Sequence, residues 1–109
     1  MANALGAVVG KASATATMEV SYMVDEDIYV VSGHGIRKTL ETKEQAEAAA
    51  DDLAQQQAAA EAIERGADPD TVTTELERTR NTFEAEYGTV YIGYTATATA
   101  SGELWLNRI

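Results

Sequence analysis

A single histidine, His34, lies between two glycines and is the first residue that could carry proton-transfer chemistry. A general base or a zinc ligand needs partners, but the sequence has no second histidine and no cysteine. Gly33-His34-Gly35 also lacks the glycine spacing of dinucleotide-binding loops and the glycine-lysine pattern of P-loops. We therefore interpret His34 as a turn residue that the flanking glycines accommodate.

Two groups of carboxylates could bind a hard cation. Asp25-Glu26-Asp27 lacks the spacing of a calcium loop and its distal glutamate, so a solvated turn is the preferred interpretation. The second group surrounds the start of a predicted helix, where the helix dipole favours negative charge. Its members are Glu41, Glu44, Glu47, Asp51 and Asp52. Capping and solubility explain this group without a function, so no catalytic, cofactor-binding or metal-binding residue is predicted.

Trp105 is the one tryptophan, in an apolar Leu104-Trp105-Leu106 segment. Tryptophan is enriched at the centres of protein interfaces, and it is equally common in cores. Both interpretations stay open.

Composition limits the classes of function. Asp+Glu number 18 against 8 Lys+Arg, a formal net charge of −10 that disfavours nucleic acid and anionic membrane surfaces as partners. The absence of cysteine excludes disulfides and thiolate chemistry and is compatible with a reducing cytoplasm. Met1 to Val9 has no basic segment before it and is too short to span a bilayer, so neither a signal peptide nor an anchor is predicted.

Period-two alternation predicts the strands of a half-buried antiparallel sheet. In the first strand Ala16, Met18 and Val20 alternate with threonine and glutamate, and the last strand has the same alanine–threonine character, so we expect the two to pair. The second strand is more continuously apolar, which suggests a central position. The predicted strands are Ala14–Val24, Ile28–Gly33, Ile36–Leu40 and Thr89–Ala100.

One long helix is predicted over Lys43–Arg65, with Thr42 and Gln45 as a capping box and Gly66 as the C-terminal cap. Its apolar positions form a stripe of mostly small side chains that would lie close against the sheet. These positions are Ala46, Ala49, Ala50, Leu53, Ala60 and Ile63.

The signals conflict after Asp68-Pro69-Asp70. Asp68 before Pro69 favours a helix start, whereas the β-branched run from Thr71 to Thr74 favours a strand. We predict a strand over Thr71–Arg80, with a helix as the alternative.

The chain length fits one domain, which we predict to be α+β over residues 1–109. A short helix of small residues occupies 1–11, and the sheet with its long helix occupies 12–109. The N-terminal segment has little bulk to bury by itself, so we expect it to dock on a larger structure or on a second copy of the chain.

The order of these segments resembles the C-terminal region of the hydantoinase A / 5-oxoprolinase family, whose ATPase core belongs to the actin-like superfamily. Ala2-Asn3-Ala4-Leu5-Gly6-Ala7 is similar to a helix late in that core. The hairpin Tyr29–Leu40, the cap at Thr42, the Ala/Glu helix and Thr95–Ala100 resemble the segment that follows it. The family's phosphate-binding loops and catalytic carboxylates have no counterpart in this chain.

The resemblance implies a C-terminal domain or small subunit of an ATP-dependent hydantoinase, oxoprolinase or ketone carboxylase. Such systems are complexes of A-like and B-like subunits, so the implied partner is the rest of the ATPase or the B-like subunit. By itself the chain would not be an enzyme and would bind no cofactor. The alternative from another class is a free-standing acidic binding module, such as a phage-encoded inhibitor, because small size, an Ala/Glu helix and negative charge suit it equally.

Overall fold

The computed structural model describes residues 11–104, which form five β-strands and one long α-helix. The helix packs on one face of an antiparallel sheet, so the predicted α+β class is confirmed. The elements in chain order are β1 (Lys11–Met23), β2 (Ile28–Gly33), β3 (Ile36–Leu40), α1 (Lys43–Glu64), a 3-10 turn (Pro69–Thr71), β4 (Thr73–Ala85) and β5 (Gly88–Glu103).

The strand order is β3-β2-β1-β5-β4, and every neighbouring pair is antiparallel. The predicted pairing of the first and last strands is confirmed, with Thr15 opposite Thr99 and Thr17 opposite Thr97. β2 is an interior strand between β3 and β1, although β1 occupies the middle of the sheet. Its apolar run is buried on both faces, since Val31 contributes to the core under α1 and Val30 is buried on the opposite face.

Alanine dominates the interface between helix and sheet. Five alanines at every fourth position of α1 are fully buried against alanines of β1 and β5. The helix members are Ala46, Ala50, Ala54, Ala58 and Ala62. The predicted stripe was therefore wrong in its second half, since Ala60 is exposed and Ile63 is 40% exposed. Small side chains on both sides let the helix approach the sheet closely.

The β2–β3 connection is a two-residue turn with positive φ at both positions, 50° at His34 and 77° at Gly35. This conformation matches the twist of the flanking strands. Gly33 just before it has φ 151° and lies against β1. A Cβ added to Gly33 would lie 2.6 Å from the Thr17 carbonyl oxygen, so only glycine fits.

After Asp68 the structure contains both a short helical turn and a strand, one after the other. The Asp68-Pro69 start gives a single 3-10 turn, in which Asp68 Oδ1 accepts the Asp70 N–H at 3.1 Å. The β-branched run then enters β4, so the predicted strand is present but extends to Ala85. The turn ends at Val72, whose backbone is extended. The β-branched residues of this run favour the extended conformation.

A bulge interrupts the alternation of β5. Asn81 pairs with Gly93 and Thr82 pairs with Tyr91, so Ile92 is the extra residue. Uninterrupted alternation would place Tyr91 on the side opposite Tyr94, but the bulge places both tyrosines beside α1.

The predicted helix over 1–11 and the Trp105 segment lie outside the described residues, except that Lys11 is the first residue of β1 and Leu104 bridges to Ala67. The first strand begins three residues earlier than predicted, at Lys11 instead of Ala14, and Val24 lies in the turn after it. Within residues 11–104, no helix has the length and apolarity needed to cross a bilayer.

Candidate functional site

His34 has a structural contact in the β2–β3 turn. The Thr17 backbone N–H donates to His34 Nε2 at 3.1 Å, at the point where β1 extends past the end of β2. Because Nε2 accepts this bond, the imidazole carries its proton on Nδ1. His34 therefore ties the turn to β1.

The acidic turn is also organised by contacts within itself. The Tyr22 hydroxyl donates to Asp27 Oδ1 at 2.8 Å, and this bond raises the pKa of Tyr22. The Asp27 N–H closes the turn on the Met23 carbonyl at 2.9 Å. Across residues 11–104 no cluster of three or more acidic or histidine side chains could hold a metal ion.

Two carboxylates at the start of α1 do more than cap the helix, which corrects the interpretation that capping and solubility explain the whole group. Thr42 Oγ1 accepts the Gln45 N–H, as predicted for the cap. Glu47, one turn further, accepts two hydrogen bonds from Arg80 on β4, at 3.1 Å from Nε and 2.7 Å from a terminal nitrogen. Asp51 accepts the Tyr94 hydroxyl at 2.7 Å and lies 3.7 Å from Arg78.

These contacts line an open cleft of ≈ 470 Å³ between α1 and the β4–β5 pair. Its lining residues are Glu44, Glu47, Ala48, Asp51, Arg78, Arg80 and Tyr94. Arg80 also lies over the Tyr94 ring, 5.9 Å from its centroid. The cleft exists because α1 covers β1 and β5, while β4 continues beyond its edge.

The electrostatics of the cleft oppose proton transfer. Burial, and then the hydrogen bond to Asp51, raise the pKa of Tyr94. Burial, and then the charge of Glu47 and its interaction with the hydroxyl, raise the pKa of Tyr91. The bond from Arg80 lowers the pKa of Glu47. Both tyrosines therefore stay protonated and Glu47 stays ionised at neutral pH, so none of the three is poised as a general acid or base.

The cleft functions as a clamp between the helix and the sheet. The bidentate Arg80–Glu47 pair joins residues 33 positions apart, and Tyr94–Asp51 joins residues 43 apart. Sequence reasoning found Glu47 and Asp51 but missed Arg78, Arg80, Tyr91 and Tyr94. Arg78 and Arg80 alternate along the predicted strand and so share one face. Because a carboxylate-rich helix start was already predicted, two arginines on that face were a signal for ion pairs between the strand and the helix.

We expect Glu47→Gln to lower the free energy of unfolding at neutral pH by about 1 kcal/mol, a modest effect because Arg80 is half exposed. The pKa of Glu47 is lower in the folded chain, so the stabilisation is present above the ordinary glutamate pKa and is lost as pH falls through the lowered value. Urea unfolding across the acid range should show a shallower pH dependence in the variant.

Glu44→Gln is the matched control, because Glu44 lines the same cleft and forms no ion pair within residues 11–104. Equal losses from Glu44→Gln and Glu47→Gln would contradict the clamp.

The second surface is the face of the sheet opposite α1, which we call the open face. Over most of its length β1 and β5 present hydroxyl side chains there, with Thr15 and Thr99 oxygens 3.4 Å apart and Thr17 and Thr97 oxygens 3.3 Å apart. At one end of the sheet, exposed apolar side chains take the place of these hydroxyl side chains. Ser21 lies opposite Gly93, so the β1–β2 turn and the β4–β5 hairpin project from the same end of the sheet.

We call this the distal end and define it as residues 21–32 and 81–94. Its exposed apolar side chains include Phe83 at 58% and Ile92 at 56%. It is the only part of the described surface that combines several exposed large apolar groups.

Comparisons with known proteins assign neither surface. No protein-family model, no curated protein and no solved structure matches this chain.

Proposed function

We propose that this chain is a non-catalytic domain or small subunit of an ATP-dependent hydantoinase, oxoprolinase or ketone carboxylase, serving structure and subunit interaction. The observation that carries the proposal is the order of segments along the chain. The small-residue segment, the hairpin through His34, the capped Ala/Glu helix and the alanine–threonine strand follow one another as in the C-terminal region of that family.

The geometry supports an interaction role over a catalytic one. Glu47 and Asp51 of the cleft are engaged by Arg80 and Tyr94, and His34 is engaged by the backbone of Thr17. The open face has no helix over it within residues 11–104, so it is available for contact with another protein.

The second candidate, a free-standing acidic protein-binding module, is favoured by one observation. The net charge of −10 would by itself attract a basic protein without any ATPase.

Reconstitution tests the first proposal against the second. The purified chain is mixed with an actin-like ATPase that lacks this segment and with its B-like subunit, and sedimentation velocity measures the size of the complex. The proposal predicts a complex that persists at physiological salt. If the chain sediments alone at micromolar concentrations of all three proteins, the proposal is wrong. Dissociation on raising salt alone would favour the acidic module, whose attraction is purely electrostatic.

A further inference from the structure

The exposed apolar side chains of the chain are concentrated in one place. Six large apolar residues are exposed in residues 11–104, and five of them lie at the distal end. These five are Met23, Val24, Phe83, Tyr87 and Ile92. The sixth, Ile63, lies near the C-terminal end of α1, away from this cluster.

The strand register and the two turns place all five at one end of the sheet. Met23 is the last residue of β1, and the alternation of that strand places it on the open face with Ser21. Phe83 pairs with Val90 across the β4–β5 hairpin, and Ile92 is the bulge residue beside them. The alternation of β4 likewise places Phe83 on the open face, two strands away from Met23, while Val24 and Tyr87 lie in the turns at the same end of the sheet. Single exposed apolar residues are ordinary, but such a cluster marks an interaction site.

The charges within the two segments of the distal end have one sign, whereas the cations Lys43 and Arg80 lie over the Tyr91 and Tyr94 rings on the helix side of the sheet. Segments 21–32 and 81–94 contain five carboxylates and neither lysine nor arginine. The carboxylates are Asp25, Glu26, Asp27, Glu84 and Glu86. Apolar anchors at the centre and charge at the rim are the general arrangement of protein interfaces, and the rim selects a partner of opposite charge.

We propose that the distal end binds a protein segment that has apolar side chains flanked by lysine or arginine. This inference rests on the proposed interaction role of the chain and names the chemistry of the partner surface. A second copy of the chain is a poor occupant, because two distal ends would bring their carboxylates together. An anionic membrane is repelled for the same reason.

The test uses the full chain and two short synthetic amphipathic peptides. Both have the same leucine positions, and their polar positions are all lysine in one peptide and all glutamate in the other. Calorimetry should show binding of the lysine peptide that weakens as salt rises, and no binding of the glutamate peptide. Amide chemical shifts should change mainly in residues 21–32 and 81–94. Equal binding of the two peptides, or shift changes centred elsewhere, would overturn the proposal.

Two matched pairs of variants separate this site from general attraction to an acidic protein. Phe83→Ser with Ile92→Ser should weaken the lysine peptide about tenfold, while Ile63→Ser leaves it unchanged. Asp25→Asn, Glu26→Gln and Glu86→Gln together should weaken it, whereas Asp52→Asn, Glu61→Gln and Glu64→Gln remove the same charge from α1 with little effect. If the two members of either pair lose similar affinity for the lysine peptide, net charge alone explains the binding and the proposed site is wrong.

Two further outcomes also decide against the proposal. Sedimentation of the chain alone as a dimer that Phe83→Ser dissociates would assign the surface to a second copy. Binding to phosphatidylcholine or phosphatidylserine vesicles that Phe83→Ser abolishes would assign it to a membrane. The peptide experiment contains no ATPase, so its failure is distinguishable from a failure of the reconstitution.

Discussion

Gly33→Ala is expected to destabilise the chain by about 3 kcal/mol, a large part of the stability of a small domain. The new Cβ would lie 2.6 Å from the Thr17 carbonyl oxygen and 2.9 Å from Met18 Sδ. The sulfur can move, but the backbone oxygen of the central strand cannot move without breaking the β1–β5 ladder. The φ of 151° adds strain for any residue with a side chain. Urea unfolding monitored by circular dichroism gives the change.

Gly35→Ala is the control for this prediction, since it lies in the same hairpin. Gly35 has φ 77°, but a Cβ there meets no atom within 4 Å. The expected loss is therefore only the cost of a left-handed residue, about 1 kcal/mol. If both variants lose the same free energy, the close approach of Gly33 to β1 is not a determinant of stability.

Ala54→Leu is expected to cost about 3 kcal/mol, because it inserts a branched side chain between α1 and the sheet. Ala54 is fully buried at the middle of the helix face that packs on the sheet, and most of the buried core beneath that face consists of alanines of β1 and β5. A core packed this closely accepts the added volume only by moving the helix away from the sheet.

Ala60→Leu provides the matched comparison for the helix. Ala60 is exposed on the same helix, so the substitution leaves packing unchanged and should alter the free energy of unfolding by less than about 0.5 kcal/mol. The urea midpoints of the two variants give the difference. A tolerated Ala54→Leu would show that helix and sheet are not closely packed.

Local patterns predicted most of the elements. The alternation of β1, the glycines around His34 and the cap at Thr42 each act within a few residues, so they are readable from sequence. The β1–β5 pairing was also predictable, because two strands with the same alanine–threonine alternation bury the same face.

Other features depended on the rest of the fold. The helix contains so many alanines that hydrophobicity alone does not show which of its faces is buried. Contact with the sheet determines that the alanines at every fourth position form the buried face. The β5 bulge at Ile92 reverses the side on which Tyr91 lies, and no local residue type signals it. The clamp partners Glu47 and Arg80 become neighbours only after β4 adds to the edge of the sheet.

Turnover in the reconstituted system tests most directly whether this chain is a non-catalytic partner. ATP-dependent opening of a hydantoin or of oxoproline is measured with the chain alone, with the ATPase and B-like subunit alone, and with all three together. We expect no activity from the chain alone, reduced activity without the chain, and restored activity on mixing. Turnover by the chain alone that disappears on changing His34 or Asp25 would contradict this interpretation and show that the domain is itself an enzyme.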